Sequence, residues 1–212
     1  MNIIARFFLG RKIYKSLVNT NVRVGKKYGK KTLFAGGVSQ SGGEYIEMWE
    51  KSVKKLKIKS SDIKNFLLLG VGGGDVIRLI RKSYPDAEIT GVELDPVIIK
   101  IAREDFSLDK IDADIIIADA ITWVNKKYKE KYDLIVVDLY IGRFNPQKAR
   151  EEKFITKINH LLAKKGVVLY NCHYDNTNSK DLVVFIKLCK SLFKKVKIVF
   201  SYPLNRVILL EK

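Results

Sequence analysis

Carboxylates and glycines recur at one kind of position in this chain, directly after short apolar runs. Phe66-Leu67-Leu68-Leu69 leads into Gly70, Gly72, Gly73, Gly74 and Asp75. Ile89-Thr90-Gly91-Val92 ends at Glu93, Ile115-Ile116-Ile117 is soon followed by Asp119 and Ala120, and Leu134-Ile135-Val136-Val137 ends at Asp138. A glycine loop lets backbone approach a ligand closely, and a carboxylate about twenty residues further on suits the hydroxyls of a ribose. Together they describe a nucleoside site. The glycine spacing then separates classes of nucleoside. A dinucleotide loop, G-x-G-x-x-G counted from Gly70, needs glycine or alanine at position 75, where this chain has Asp75. A carboxylate there repels the pyrophosphate that a helix N-terminus would otherwise attract. Acids after successive strands suit a cation instead, a sulfonium nucleoside with an ammonium tail. The expected ligand is therefore of the S-adenosylmethionine (AdoMet) type, with Gly70, Gly72, Gly74, Asp75 and Glu93 among its contacts.

Some of these acids have a second reading. Asp75 also complements the start of a helix, Asp119 also fits a helix cap, and Asp95 before Pro96 does so too. Asp138 differs, because a carboxylate closing four apolar residues is costly unless paired or solvated, which marks a site. Asn171, Cys172, His173 and Asp175 follow a further apolar run. No metal spacing and no Ser/His/Asp arrangement forms around His173. No metal is expected.

The elements that must carry these residues alternate. Strands are expected at 66–70, 88–93, 113–118, 133–138, 166–171, 196–201 and 206–210, and helices at 74–83, 96–106, 120–130, 147–163 and 179–193. Runs that are apolar on both faces belong to a parallel sheet covered by helices on both sides. The order is that of a doubly wound, mostly parallel seven-stranded α/β sheet, with a turn at Pro203 and Asn205 closing an antiparallel hairpin at its end. Upstream, Ile3, Ile4, Phe7, Phe8, Ile13, Leu17 and Val18 fit one helical face over 2–18. Val22-Arg23-Val24 and Thr32-Leu33-Phe34-Ala35 read as a small hairpin. Gly36 to Gly43 reads as a glycine-rich loop feeding a helix from near Glu44. Residues 1–43 then form a basic helix-and-hairpin extension, and residues 44–212 the nucleoside-binding domain.

The 212 residues suffice for one sizeable core, and 47% hydrophobic with 30% charged residues is an ordinary globular balance. The first ten residues carry a short apolar stretch without a cleavage pattern, so no signal peptide is expected. No apolar run approaches the roughly 20 residues of a membrane span. Two cysteines, Cys172 and Cys189, make no disulfide framework, and a cytoplasmic setting is expected. The net charge is +17, and residues 1–64 hold 15 Lys and Arg against 4 Asp and Glu. Residues 1–31 could thus make a weak nucleic-acid contact. The excess of Lys over Arg favours a compositional origin, since nucleic-acid binders lean on Arg.

These residues resemble the spermidine synthase family of aminopropyltransferases, over roughly residues 32 to 210. Gly72-Gly73-Gly74-Asp75 is similar to the family's GGGDGG loop, and Val92-Glu93-Leu94-Asp95-Pro96 to its V-E-I-D-P segment. Asp119-Ala120 resembles its G-D-[AG] motif, and Tyr132 to Asp138 its Y-D-V-I-I-V-D strand. Gly37-Val38-Ser39-Gln40 resembles G-V-x-Q, and Tyr45-Ile46-Glu47-Met48 resembles Y-[HQ]-E-M. The resemblance implies a Rossmann-like methyltransferase fold, a place in polyamine biosynthesis, Asp138 as general base helped by Tyr45, and a small amine acceptor. It implies that Gln40, Asp75 and Glu93 hold the nucleoside and its tail, with Asp119 and Ala120 on the adenine side. A homodimer is also expected. The chain departs from the family at Val76-Ile77, where the loop has glycines, and at Ile141, where an Asp binds the diamine. It keeps the nucleoside side and erodes the diamine side. The resemblance makes aminopropyl transfer, from decarboxylated AdoMet, the leading expectation. An AdoMet-dependent methyltransferase acting on a small molecule or RNA, and a non-catalytic nucleoside-binding module, are the alternatives.

Overall fold

The computed structural model describes residues 6–8, 11–56, 58, 62–126, 130–174 and 179–212. Seven strands form the main sheet: β6 (Asn65–Leu69), β7 (Glu88–Glu93), β8 (Asp114–Ile117), β9 (Tyr132–Val137), β10 (Leu162–His173), β11 (Lys195–Tyr202) and β12 (Asn205–Glu211). Their order across the sheet is β11-β12-β10-β9-β6-β7-β8. β8, β7, β6, β9 and β10 run parallel, and β12 and β11 close the sheet as an antiparallel hairpin. The doubly wound order expected from the sequence is therefore the one found.

Both faces of the central strands are buried, and each face meets its own helices. Phe66, Leu68, Leu134 and Val136 pack with α1 (Glu44–Lys54), α2 (Asp75–Ser83) and α3 (Pro96–Phe106). Leu67, Leu69, Ile135 and Val137 pack with α4 (Ala120–Val124), α5 (Glu152–Leu161) and α6 (Ser179–Leu192). All eight strand side chains are withdrawn from solvent, and each contributes about 1.5–3 kcal/mol by burial. The apolar runs follow directly from this two-sided covering.

The N-terminal segment corrects the sequence reading. No helix spans the described part of 2–18; Arg6–Phe8 (β1) and Arg11–Tyr14 (β2) are antiparallel strands. Ile3 and Ile4 lie outside the described residues. The hairpin is longer than expected, β3 (Val22–Lys27) with β4 (Lys30–Ala35), and the glycine-rich loop contains a further strand, β5 (Val38–Ser41). The result is a five-stranded antiparallel sheet, where a helix and one hairpin were expected. Tyr14, Val22, Val24, Leu33 and Ala35 from this sheet share a core with Val97, Ile98 and Ile101 of α3. Asp95 caps α3 through Val97 N–H at 2.9 Å and also accepts from Ser16 Oγ and Asn19 Nδ2, so it ties the sheet to the main fold. Part of the basic charge is used internally. Lys12 pairs with Asp105 at 2.6 Å, Lys31 donates to the Asp105 carbonyl at 2.8 Å, and the Arg23 guanidinium lies 3.7 Å from the centre of the Phe34 ring.

Among the described residues no helix is long and apolar enough to cross a membrane. Ile101 of α3 is fully buried against the N-terminal sheet. Ile101→Ala should therefore cost about 2–5 kcal/mol in urea denaturation. A loss well under 1 kcal/mol would contradict the shared core.

Candidate active site

β6 is flanked by β7 on one side and β9 on the other. The connections leaving β6 and β9 part at this point, and such switch points open a crevice beyond the carboxyl ends of the strands. The floor of the crevice is backbone. Asp138 N–H donates to the Leu69 carbonyl and Gly70 N–H to the Val92 carbonyl, each at 2.8 Å. Gly70 has φ +92°, and a Cβ on it would fall 2.3 Å from the Asp138 carbonyl oxygen. Only glycine holds this position without displacing Asp138.

A cavity of about 410 Å³ occupies the crevice. Gln40, Gly70, Gly72, Glu93, Asp119, Ala120 and Asp138 are among its lining residues. Glu93 is fixed by backbone donors, with Val71 and Gly72 N–H on one carboxylate oxygen at 3.0 and 3.2 Å and Asp95 N–H on the other at 3.0 Å. Burial pushes its carboxyl above the ordinary range, against the pull of those donors. Asp119 fills the cap role as well as lining the cavity. It accepts from Ile121 N–H and the Thr122 hydroxyl, both at 2.9 Å.

Two expected contacts lie elsewhere. Asp75 does not line the cavity. One of its oxygens accepts from Gly42 N–H at 2.6 Å, and the other meets Arg78 at 2.5 Å. Gly74 sits behind the loop against Leu108, the nearest atom to a Cβ placed on it. Ser41 Oγ accepts from Gly73 N–H at 2.5 Å, so β5 and the glycine loop are joined at two points. Gln40 lines the cavity while its amide donates to the Gly142 carbonyl at 2.9 Å.

Asp138 stands at the inner end of a polar cluster. The Tyr45 hydroxyl donates to its carboxylate, 2.6 Å from each oxygen. Asn171 Nδ2 lies 2.9 Å from Asp138 Oδ1 and 3.2 Å from the Tyr45 oxygen. Asn205 Nδ2 in turn donates to Asn171 Oδ1 at 3.0 Å and to the Tyr140 hydroxyl at 2.8 Å. Burial pushes the Asp138 carboxyl up to about 6, and Tyr45 and Asn171 pull against it. Burial and the Asp138 charge hold the Tyr45 hydroxyl well above its usual range, so it remains a donor. The Trp49 indole lowers both groups, although its buried N–H meets no acceptor in hydrogen-bonding geometry. From sequence, Asn171 stood out only by its place after an apolar run, and Asn205 only as a turn residue. For Asn171 the available signal was an amide near the carboxyl end of an apolar strand, the position that exposed the acids; Asn205 opens β12 and carries no such signal.

Tyr45 lines a second cavity of about 440 Å³, and Gln40 and Tyr140 line both. His173 borders this second cavity, with its ring edge-on to Phe144 at 5.0 Å. Cys172 is buried, accepts from Arg150 at 3.0 Å and has its thiol pushed up to about 11 by burial, which disables it as a nucleophile. Asp175 lies outside the described residues. Among the described residues no cluster of His, Cys, Asp and Glu could hold a metal.

A doubly wound sheet with a nucleoside-sized crevice between β6 and β9 is the architecture of the Rossmann-like methyltransferase class. Comparison with known proteins agrees. The chain superposes on a probable spermidine synthase from Corynebacterium glutamicum with TM-score 0.80, at 18% identity, covering 99% of this chain and 81% of that one. Human methyltransferase-like protein 13, solved in complex with SAH, matches with TM-score 0.65 at 20% identity, over 80% of this chain and 82% of that one. A polyamine aminopropyltransferase of Sulfolobus acidocaldarius is 24% identical over 184 residues, 83% of this chain and 61% of that enzyme. A family model, the spermine/spermidine synthase domain, matches residues 13–204, and the chain belongs to that family. It spans less than two thirds of the length of the curated relatives it matches first.

Gly70→Ala should displace the Asp138 backbone and weaken methylthioadenosine binding at least about tenfold, read by calorimetry. Wild-type affinity in that variant would show that the Gly70–Asp138 contact does not shape the cavity.

Proposed function

We propose that this chain transfers an aminopropyl group from decarboxylated AdoMet to a small amine, with Asp138 as general base. The observation that carries this reading is the place of Asp138, on the wall of the first cavity and hydrogen-bonded to Tyr45, which lines the second. The first cavity fits the donor. Three carboxylates, Glu93, Asp119 and Asp138, line it with one lysine, Lys148, which suits a sulfonium and an ammonium better than the carboxylate that AdoMet retains. Gly70, Gly72, Gln40 and Ala120 would complete the holding surface.

The acceptor arrives as an ammonium, which has no lone pair to attack with. Asp138 takes one proton from it, and Tyr45 and Asn171 steady the carboxylate before and after. Bound beside it, the donor supplies an electrophilic carbon: the amine nitrogen forms the C–N bond as the C–S bond breaks, and sulfur leaves with the electron pair as neutral methylthioadenosine. The product leaves as a secondary ammonium. The two cavities hold the reacting atoms together, which supplies much of the acceleration.

Thermal-shift titration with decarboxylated AdoMet, AdoMet and methylthioadenosine, paired with a methylthioadenosine-release assay, tests the reading. Decarboxylated AdoMet should stabilise the chain more than AdoMet does. Asp138→Asn should keep that stabilisation and lose at least about a hundredfold in turnover. Stronger stabilisation by AdoMet, with methyl transfer, would sink the aminopropyl assignment; undiminished turnover in the variant would remove Asp138 from the chemistry.

The pH dependence follows from the raised carboxyl. A base must be ionised to act, so turnover should climb as pH rises through about 6. Tyr45→Phe removes a group that lowers the Asp138 pKa, so its acid limb should lie above the wild-type limb. A limb that stays in place would mean that Tyr45 does not tune this carboxylate.

A further inference from the structure

The second cavity differs in charge from the first. Its described lining residues include Lys27, Arg143 and His173 and no carboxylate. The remaining surface is largely aromatic and apolar, with Phe34, Met48 and the Tyr202–Leu204 turn contributing. An ammonium taken from water against these residues loses hydration and meets no carboxylate among the described lining. A diamine would bring two of them, and Asp138 answers only one.

Arg143 is held where an anion could use it. It sits in the loop after β9, between Ile141 and Phe144, whose backbones exchange hydrogen bonds of 3.0 and 3.3 Å. Gly142 beside it turns at φ +61°, and its carbonyl accepts from Gln40. A Cβ on Gly36 would fall 2.3 Å from the Gly142 Cα, so the N-terminal sheet presses directly on this loop. The guanidinium makes no hydrogen bond or ion pair with the described residues. Guanidinium is the side-chain group best matched to a carboxylate or phosphate, which it meets with two parallel hydrogen bonds.

We propose that the acceptor is an amine that also carries an anionic group, a carboxylate or a phosphate, with its nitrogen toward Asp138 and Tyr45 and its anionic end at Arg143 with Lys27. This rests on the reading that the second cavity holds the acceptor. The selectivity is built from opposite ends: acids around the nucleoside, cations around the far end of the acceptor. A diamine is then a poor acceptor in spite of the family to which the chain belongs.

Equilibrium binding to the full chain saturated with methylthioadenosine tests this. Calorimetry compares γ-aminobutyrate, putrescine and n-butylamine, near-isosteric amines that differ at the far end. γ-Aminobutyrate should bind at least about tenfold more tightly than either of the others. Arg143→Glu should abolish that preference, and Arg143→Lys should keep part of it. Putrescine binding as tightly as γ-aminobutyrate, an unchanged preference in Arg143→Glu, or no binding of any of the three overturns the proposal. Turnover reports separately. The expected binding order without methylthioadenosine release from decarboxylated AdoMet would defeat the aminopropyl reading and leave the anionic acceptor standing.

Discussion

The parallel pairing of β6 with β9 is the constraint from which the site follows. The two buried runs pair in register, Phe66 with Leu134 through Leu69 with Val137, and this aligns the strand ends so that Gly70 and Asp138 emerge side by side. The connections then leave in opposite directions and open the crevice. The other candidate groups are placed against that pair. Glu93 comes from the neighbouring β7, Asn171 from β10 on the other flank, and Tyr45 from α1 above.

Asp138 shows how one carboxylate is held between two opposed effects. Burial alone would keep it protonated and useless as a base near neutrality. Full pairing would ionise it firmly and weaken its hold on a proton. A tyrosine hydroxyl and an asparagine amide, both neutral, offset burial only in part. The acid is left near the pH at which a proton can move either way. Neutral donors also leave the negative charge of Asp138 uncompensated, as its proposed role toward an ammonium requires.

The main sheet was legible because β6 and β9 are apolar on both faces, and few other environments bury a strand so completely. The N-terminal sheet was not. Ile13, Leu17 and Val18 fall on a helical spacing by coincidence, and in β2 only Tyr14 is buried among the residues whose burial is described. β5 is polar and flanked by glycines, so it reads as a loop; it becomes a strand by pairing with β4. β10 begins at Leu162 and passes through Lys164 and Lys165, which carry no strand signal. The same limit governs the site. Glu93 and Asp138 declare themselves by position after an apolar run, and both line the cavity. Asn171 and Asn205 meet through the antiparallel register of β10 and β12, in which His173 faces Asn205. Asp75 is visible as an acid, but its partners Arg78 and Gly42 are set by a helix turn and a distant loop.

That last arrangement has an evolutionary consequence. Arg78 spans the Gly73 carbonyl, the Phe106 carbonyl and the Asp75 carboxylate, while Asp75 also receives Gly42 N–H. Loss of the acid alone leaves a partly buried guanidinium short of its counter-charge, and loss of the arginine alone leaves a buried carboxylate in the same state. Descent with modification can therefore cross this position only in paired steps. Related chains should show positions 75 and 78 changing together.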